Sequence, residues 1–246
     1  MPRYKIVIEY DGTSYVGWQK QDNGSSIQES IEKAAYKLSG EKINLFGAGR
    51  TDAGVHAISQ IAHFDLKKKF NVDNIRDGLN QHLKPNKIVI LNAKKVSLDF
   101  HSRFSAISRT YKYIIINRRA PLTLQKNRSW CVFKKLDVEK MILESKYFLG
   151  RNNLEAFRSI NCQSKSSIKT IDKIEIKKKK EVISIEISAR SFLHSQVRIM
   201  VGTLVEIGKG KIKKSIKEII REKKRSEAGI TAPASGLYLT KVRYKV

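Results

Sequence analysis

Apolar residues recur at every second position over residues 4–10, where Tyr4, Ile6, Ile8 and Tyr10 alternate with Lys5, Val7 and Glu9, and the run stops at the turn pair Asp11-Gly12. A period of two predicts a strand. Ser26-Ile27-Gln28-Glu29 has capping-box spacing, and Ile27, Ile31, Ala34 and Leu38 then recur at helical intervals up to Gly40, which predicts a helix. A short strand is expected over 43–46, a loop over 47–55 and a longer strand over 58–66. Val72, Ile75, Leu79 and Leu83 mark a second helix that Pro85 stops, ahead of a strand over 87–96. The order β-α-β-β-α-β is that of a ferredoxin-like half.

The second half carries a looser version of the same order. A strand is expected over 109–116, a helix over 137–149, and a hairpin of 171–176 with 182–189 turning across the Lys177 to Lys180 run. A helix with a polar start over 195–208, an amphipathic basic helix over 213–221 and a closing strand over 237–246 complete the pattern. A boundary near 104–108 therefore divides the chain into domains 1–105 and 106–246, the first carrying the Gly47–Val55 loop. The shared layout suggests an old duplication. Pro and Gly are scarce and no flexible linker stands out, so the expected class is α+β, with two ferredoxin-like, RRM-like halves whose mixed antiparallel sheets merge into one central sheet.

Composition narrows the function. The chain has 246 residues, enough for one large or two small domains at roughly 150 residues each. At 41% hydrophobic residues with regular periodicity, a disordered basic tail is excluded. No apolar run approaches the roughly 18 residues of a membrane span. The Met-Pro-Arg-Tyr start passes straight into a strand pattern, so no signal peptide is expected. Cys131 and Cys162 are too few and too far apart for a disulfide framework or a Cys-rich zinc site, and a reducing, cytoplasmic home fits. Lys+Arg 49 against Asp+Glu 23 leaves a net charge of +26, which points to a polyanionic partner, nucleic acid above all. A compositional bias toward Lys, Ile and Asn raises the same number, and the lysine runs read equally as solvated turns or edges.

The densest candidate for chemistry is the stretch from Gly47 to Ala57, Gly-Ala-Gly-Arg-Thr-Asp-Ala-Gly-Val-His-Ala. Its glycines let a backbone approach a ligand closely, and Arg50 and Asp52 set opposite charges at a strand end. A structural turn with an incidental Asp fits the spacing as well. The stretch is no dinucleotide fingerprint, because Asp52 stands where the third glycine would fall, and no P-loop lysine follows. His56, His63, His82, His101 and His194 show no metal-ligand spacing, and His56 and His63 face opposite ways along a strand. A Ser nucleophile elbow and the aromatic signature of an RRM are both missing from the sequence.

The run Gly49-Arg50-Thr51-Asp52-Ala53-Gly54-Val55-His56-Ala57 resembles the active-site loop of the tRNA pseudouridine synthase A family. The resemblance extends through Tyr10-Asp11-Gly12, Gly17-Trp18-Gln19, Phe104-Ser105-Ala106, Arg109-Thr110-Tyr111, Val197-Arg198 with Val201-Gly202, and Gly236-Leu237-Tyr238-Leu239. These blocks keep the family's order nearly end to end. Ser102 and Lys169 depart from it, standing where Ala and Arg are usual, and Lys169 lacks the bidentate phosphate grip of Arg.

The resemblance implies the pseudouridine synthase fold, isomerisation of uridine to pseudouridine in the 3′ side of the tRNA anticodon stem-loop, a homodimer and no cofactor. By the same resemblance Asp52 is the nucleophile, Tyr111 contacts the flipped uracil and acts as a base, and Arg198 pairs with Asp52. Arg50 fills the gap or holds the displaced phosphate, Leu237 and Val201 wall the uracil pocket, and His56 buttresses the loop. Trp18 and Gln19, with the basic surface, are expected to hold the RNA backbone. The residue types suit the chemistry: a carboxylate can add to and later leave a sugar carbon, and an Arg keeps it ionised. The alternative, a non-catalytic basic RNA-binding protein, explains the charge but not why Asp52, Tyr111 and Arg198 occur together.

Overall fold

The computed structural model describes residues 1–160 and 162–245; Val246, the end of the expected closing strand, lies outside them. The chain divides into two units, Met1–Ile107 with Tyr238–Val246, and Ser108–Leu237.

In the first unit, β1 (Arg3–Tyr10) is flanked antiparallel by β3 (His56–Asp65) and by β4 (Ile88–Val96). The alternation read from the sequence is the burial pattern: Tyr4, Ile6, Ile8 and Tyr10 point into the core while their neighbours do not. Helix α1 (Ile27–Ser39) starts where the Ser26 hydroxyl accepts the Glu29 amide at 3.2 Å and ends at Gly40, whose φ of 74° is left-handed. Helix α2 (Val72–Leu83) starts at the Asn71 cap and buries Ile75, Leu79 and Leu83. It is tied to the edge strand by Asn80, whose side-chain amide donates to the Ile90 carbonyl (2.9 Å) and accepts its N–H (2.7 Å). The two helices touch closely enough that a Cβ on Gly78 would stand 2.5 Å from Leu38.

The outer edge of β3 is shared. At one end β2 (Phe46–Gly47) pairs antiparallel, Phe46 opposite His63 and Gly47 opposite Ala62. At the other, β10 (Leu237–Tyr244) pairs parallel, with Tyr238 opposite His56 and Leu239 opposite Ala57. The order β4-β1-β3-β2 with two helices is the ferredoxin-like arrangement expected. The strand expected over 43–46 is shorter and shifted. Ile43 and Leu45 are buried as a strand would have them, but only Phe46 and Gly47 reach the ladder.

In the second unit, β5 (Ala106–Asn117), β9 (Val182–Ala189), β8 (Ile168–Lys179) and β7 (Gly150–Asn153) pair in that order, all antiparallel. A short β6 (Trp130–Val132) runs parallel to β5 on its other side. Strand β8 continues through Lys177, Lys178 and Lys179, which pair with Ser184, Ile183 and Val182, so the turn is at Lys180 (φ 55°) and not across the whole lysine run. Helix α3 (Val138–Ser145) ends earlier than the 137–149 expected, giving way to a 3-10 turn at Lys146–Phe148. Helix α4 (Gln196–Gly208) buries every residue except Arg198. A full capping box between Ser215 and Glu218 opens α5 (Ile216–Glu222). The class is α+β.

Candidate active site

Strand β2 leaves the ladder after two residues and β3 begins only at His56, so residues 48–55 must loop outside the sheet. The base of the loop is anchored: the Ala48 amide donates to the Ile61 carbonyl (2.7 Å), and the buried Gln60 side chain donates to the Gly49 carbonyl (2.8 Å). Its crest is held from the N-terminal segment. Tyr10 and Thr51 share a hydroxyl–hydroxyl bond of 2.8 Å, and the Trp18 amide donates to the Thr51 carbonyl at 3.0 Å. The Val55 amide donates back to the Asp52 carbonyl at 3.1 Å, a tight turn in which Gly54 takes a φ of +76° that favours glycine.

Two more glycines abut the loop. A Cβ on Gly12 would lie 2.0 Å from the Val55 carbonyl oxygen, and one on Gly17 would lie 2.7 Å from that of Thr51. Backbone therefore packs on backbone on either side of Asp52, whose side chain is half-buried, while Arg50 is exposed. His56 is buried beneath; its Nδ1 accepts the Gly12 amide (3.1 Å), lies 3.2 Å from the Asp11 carboxylate, and its ring stacks on Tyr238 at 4.8 Å. Burial pushes the Asp11 carboxyl up. The Thr13 hydroxyl and amide, with the His56 and Lys87 charges, outweigh that and hold it below the usual range. His56 thus buttresses the loop.

Tyr111 and Arg198 belong to the second unit. Tyr111 lies on β5 opposite Ile187 of β9, buried, with its ring edge-on to Phe192 at 5.3 Å. Tyr113, two residues along the same strand face, donates its hydroxyl to the Pro233 carbonyl at 2.7 Å. Next to it, Arg198 Nε donates to the Ala232 carbonyl (2.8 Å), and the Ala232 amide returns a bond to the Arg198 carbonyl (3.1 Å). The segment 229–236 fits this tightly because α4 offers Gly202, where a Cβ would stand 1.8 Å from the Ile230 oxygen, and because a Cβ on Gly236 would stand 2.6 Å from the Tyr113 ring. Burial pushes the Tyr113 hydroxyl far above its ordinary range, with the Arg198 charge opposing. The guanidinium is thereby oriented by a backbone carbonyl, and Arg198 is the one residue of α4 not buried. Val201 is fully buried and Leu237 nearly so.

One expectation fails. Trp18 is 3% exposed, with its indole against Gly47 and 6.3 Å from the Tyr10 ring, so it is a core residue beneath the loop and not an RNA contact; Gln19 beside it is exposed. The clamping role of Tyr10, Gly12 and Gly17 was hidden in the sequence, although a Tyr on the buried face of a strand signals a hydroxyl in search of a partner. Among the described residues no cluster of His, Cys, Asp or Glu has the grouping of a metal site, and no helix is long and apolar enough to cross a membrane.

A family model described as tRNA pseudouridine synthase matches residues 6–105 and 145–245. The chain is 50% identical over 245 residues to the tRNA pseudouridine synthase A of Maricaulis maris (strain MCS10), covering 99% of this chain and 98% of that one. It is 52% identical over 244 residues to the protein of that name from Ehrlichia ruminantium (strain Gardel), covering 98% and 99% of the two chains. With its counterpart in Wolbachia pipientis wMel the figures are 51% over 244 residues, 98% and 100%. A solved chain titled "Crystal Structure of a Cbf5-Nop10-Gar1 Complex" aligns at TM-score 0.34 and 9% identity, covering 96% of this chain and 57% of that chain, too distant to bear on the argument.

Proposed function

The chain belongs to the tRNA pseudouridine synthase family, and on that premise we propose that it isomerises uridine to pseudouridine within tRNA. The observation that carries this reading is the placement of Asp52: a half-buried carboxylate on a loop whose backbone is clamped from both sides by Gly12 and Gly17. A carboxylate fixed in this way does not have to be ordered when substrate arrives.

In the reaction the C1′–N1 bond breaks, the uracil turns, C1′ joins C5, the C5 proton leaves and N1 takes up a proton. Substrate and product are isomers, so the balance needs no oxidant, reductant or group carrier. Asp52 is the nucleophile that adds to the substrate and later departs. Arg198 is, by the resemblance, the ion-pair partner of Asp52. Tyr111 contacts the uracil and receives the C5 proton, aided by its surroundings, since a free phenol with a pKa of about 10 is a weak base at neutral pH. By the resemblance Leu237 supplies apolar wall, whereas Val201 has no accessible surface and is a core residue of α4.

The uridine must leave its stack before Asp52 reaches it, at a cost of a few kcal/mol. Arg50, exposed two residues from Asp52, fills the gap or grips the displaced phosphate. The resemblance carries the finer assignments: the 3′ side of the anticodon stem-loop as target and a homodimer as the working form; a cytoplasmic place rests on the sparse cysteines.

The test is release of tritium from tRNA labelled at uridine C5, since the product has the same mass as the substrate. Release with multiple turnovers is expected. Tight tRNA binding without release would favour the non-catalytic RNA-binding alternative.

A further inference from the structure

Outside everything assigned to the Asp52 loop above, the first unit presents a row of rings drawn from distant parts of the chain. The Phe46 ring stacks on His63 at 5.1 Å with planes 20° apart and lies 5.5 Å from His101. His101 in turn sits 4.4 Å from Phe104. Phe104 is 73% exposed and Phe46 47% exposed, unusual for two phenyl rings in one assembly. The Arg103 guanidinium lies over the Phe104 ring at 5.7 Å.

The row is rigid. Ser102, buried, donates its amide to His63 Nδ1 (3.2 Å), and its hydroxyl lies between that nitrogen (2.9 Å) and the Phe46 carbonyl (2.5 Å). His101 Nδ1 accepts the amides of Arg103 (3.1 Å) and Phe104 (3.4 Å), which locks the turn carrying the exposed phenyl. The backbone that carries the exposed ring is already ordered by the His101 side chain, so a partner stacking there has only the phenyl rotamer left to order. Phe46 also runs directly through Gly47 into the Asp52 loop, so the rings and the carboxylate share one short stretch of backbone.

We propose that Phe104 and Phe46, with Arg103 over the Phe104 ring, form a stacking platform for an unpaired nucleobase of the RNA substrate whose uridine Asp52 attacks. Every base has a π-face, so such a platform accepts bases of any identity, and the Arg103 guanidinium can pair with the adjoining phosphate or stack on the base in turn. A chain of net charge +26 makes an anionic RNA the fitting occupant. This rests on the RNA-modifying function proposed above, but its test reads binding and not turnover.

The measurement is the affinity of the full-length protein for a tRNA transcript carrying 2-aminopurine at successive unpaired positions of the anticodon loop. With the parent, binding should quench the fluorescence at one position. Phe104→Ala should relieve that quenching and weaken affinity roughly tenfold or more, Phe104→Tyr should restore both, and the salt slope should not move, since stacking displaces no counterions. Melting curves establish that the exposed substitution leaves the fold intact. Unchanged quenching and affinity in Phe104→Ala overturns the platform. So does loss of a dimer in sedimentation with RNA affinity retained, which would make a second copy of this chain the occupant. Tritium release by the parent, measured apart, tests the enzymatic reading on its own.

Discussion

The carbonyl oxygen of Val55 occupies the place where a side chain on Gly12 would begin: a Cβ there would lie 2.0 Å from it, with the Gly12 amide meanwhile donating to His56. The turn that presents Asp52 is thus fitted against the bare backbone that follows β1. Gly12→Ala must push the loop away or bend β1. A cost of about 1–3 kcal/mol is expected for such overpacking, which lowers the melting temperature by roughly 2–4 °C per kcal/mol at this chain length. Turnover should fall by a larger factor than stability accounts for, because the displaced backbone carries Asp52, the proposed nucleophile. Thermal melting and tritium release on the same preparation check both.

That dependence explains what could be read from the chain alone. Helix α1 was legible because its cap, its stripe of Ile27, Ile31 and Ala34 and its Gly40 stop all lie within one stretch of sequence. The Asp52 loop was legible through its glycines. Strand β7 was not: Gly-Arg-Asn-Asn has no strand propensity, and it is a strand only because Ile168 to Ile171 pair with it. Strand β6, three residues long, has too few positions to show a period. The lysines at the end of β8 read as a turn because their charge hides a ladder set by β9. Trp18 departs from expectation for a related reason: an aromatic beside Gln and Lys resembles a nucleic-acid contact, and only the fold sets the Gly47 backbone against its indole. The ring platform assembles residues 46, 63, 101 and 104, which no local window contains.

Acid should loosen the first unit through His63. Burial, with the His101 and Arg3 charges, pushes its pKa from 6.5 down to about 4, with Asp65 opposing. The unfolded chain therefore binds more protons between those two values, so stability is full above about pH 6.5 and is lost as pH falls toward about 4. Urea unfolding across this window should show free energy rising with pH. His63→Gln should flatten the rise; an unaltered slope would exclude His63 as its source.

Binding of tRNA should be electrostatic and spread over the surface. With a net charge of +26 and no single arginine cluster, log affinity should fall linearly with log salt, with a slope corresponding to several displaced counterions. Filter binding between low and physiological salt measures it. A slope near zero would contradict the distributed contact.

Exhaustive dialysis against a chelator should leave turnover intact, since the isomerisation balances without a cofactor and the histidines have no ligand spacing. Activity lost and then restored by micromolar divalent ion would refute this. A millimolar magnesium requirement would reflect the folding of the tRNA.

The central claim is that Asp52 is the nucleophile, and Asp52→Asn tests it most directly. The substitution keeps shape and volume, removes the charge and leaves an amide, a very poor nucleophile. It also removes negative charge from a site that meets an anionic RNA, so Coulomb attraction does not weaken. Single-turnover tritium release and filter-binding affinity are measured on the same tRNA, with melting curves to show the variant folded. The expected result is affinity near the parent's with turnover lost by more than the roughly 10²–10⁴-fold typical of a general acid–base group. A folded variant that binds tRNA and still releases tritium within about tenfold of the parent rate would contradict the assignment.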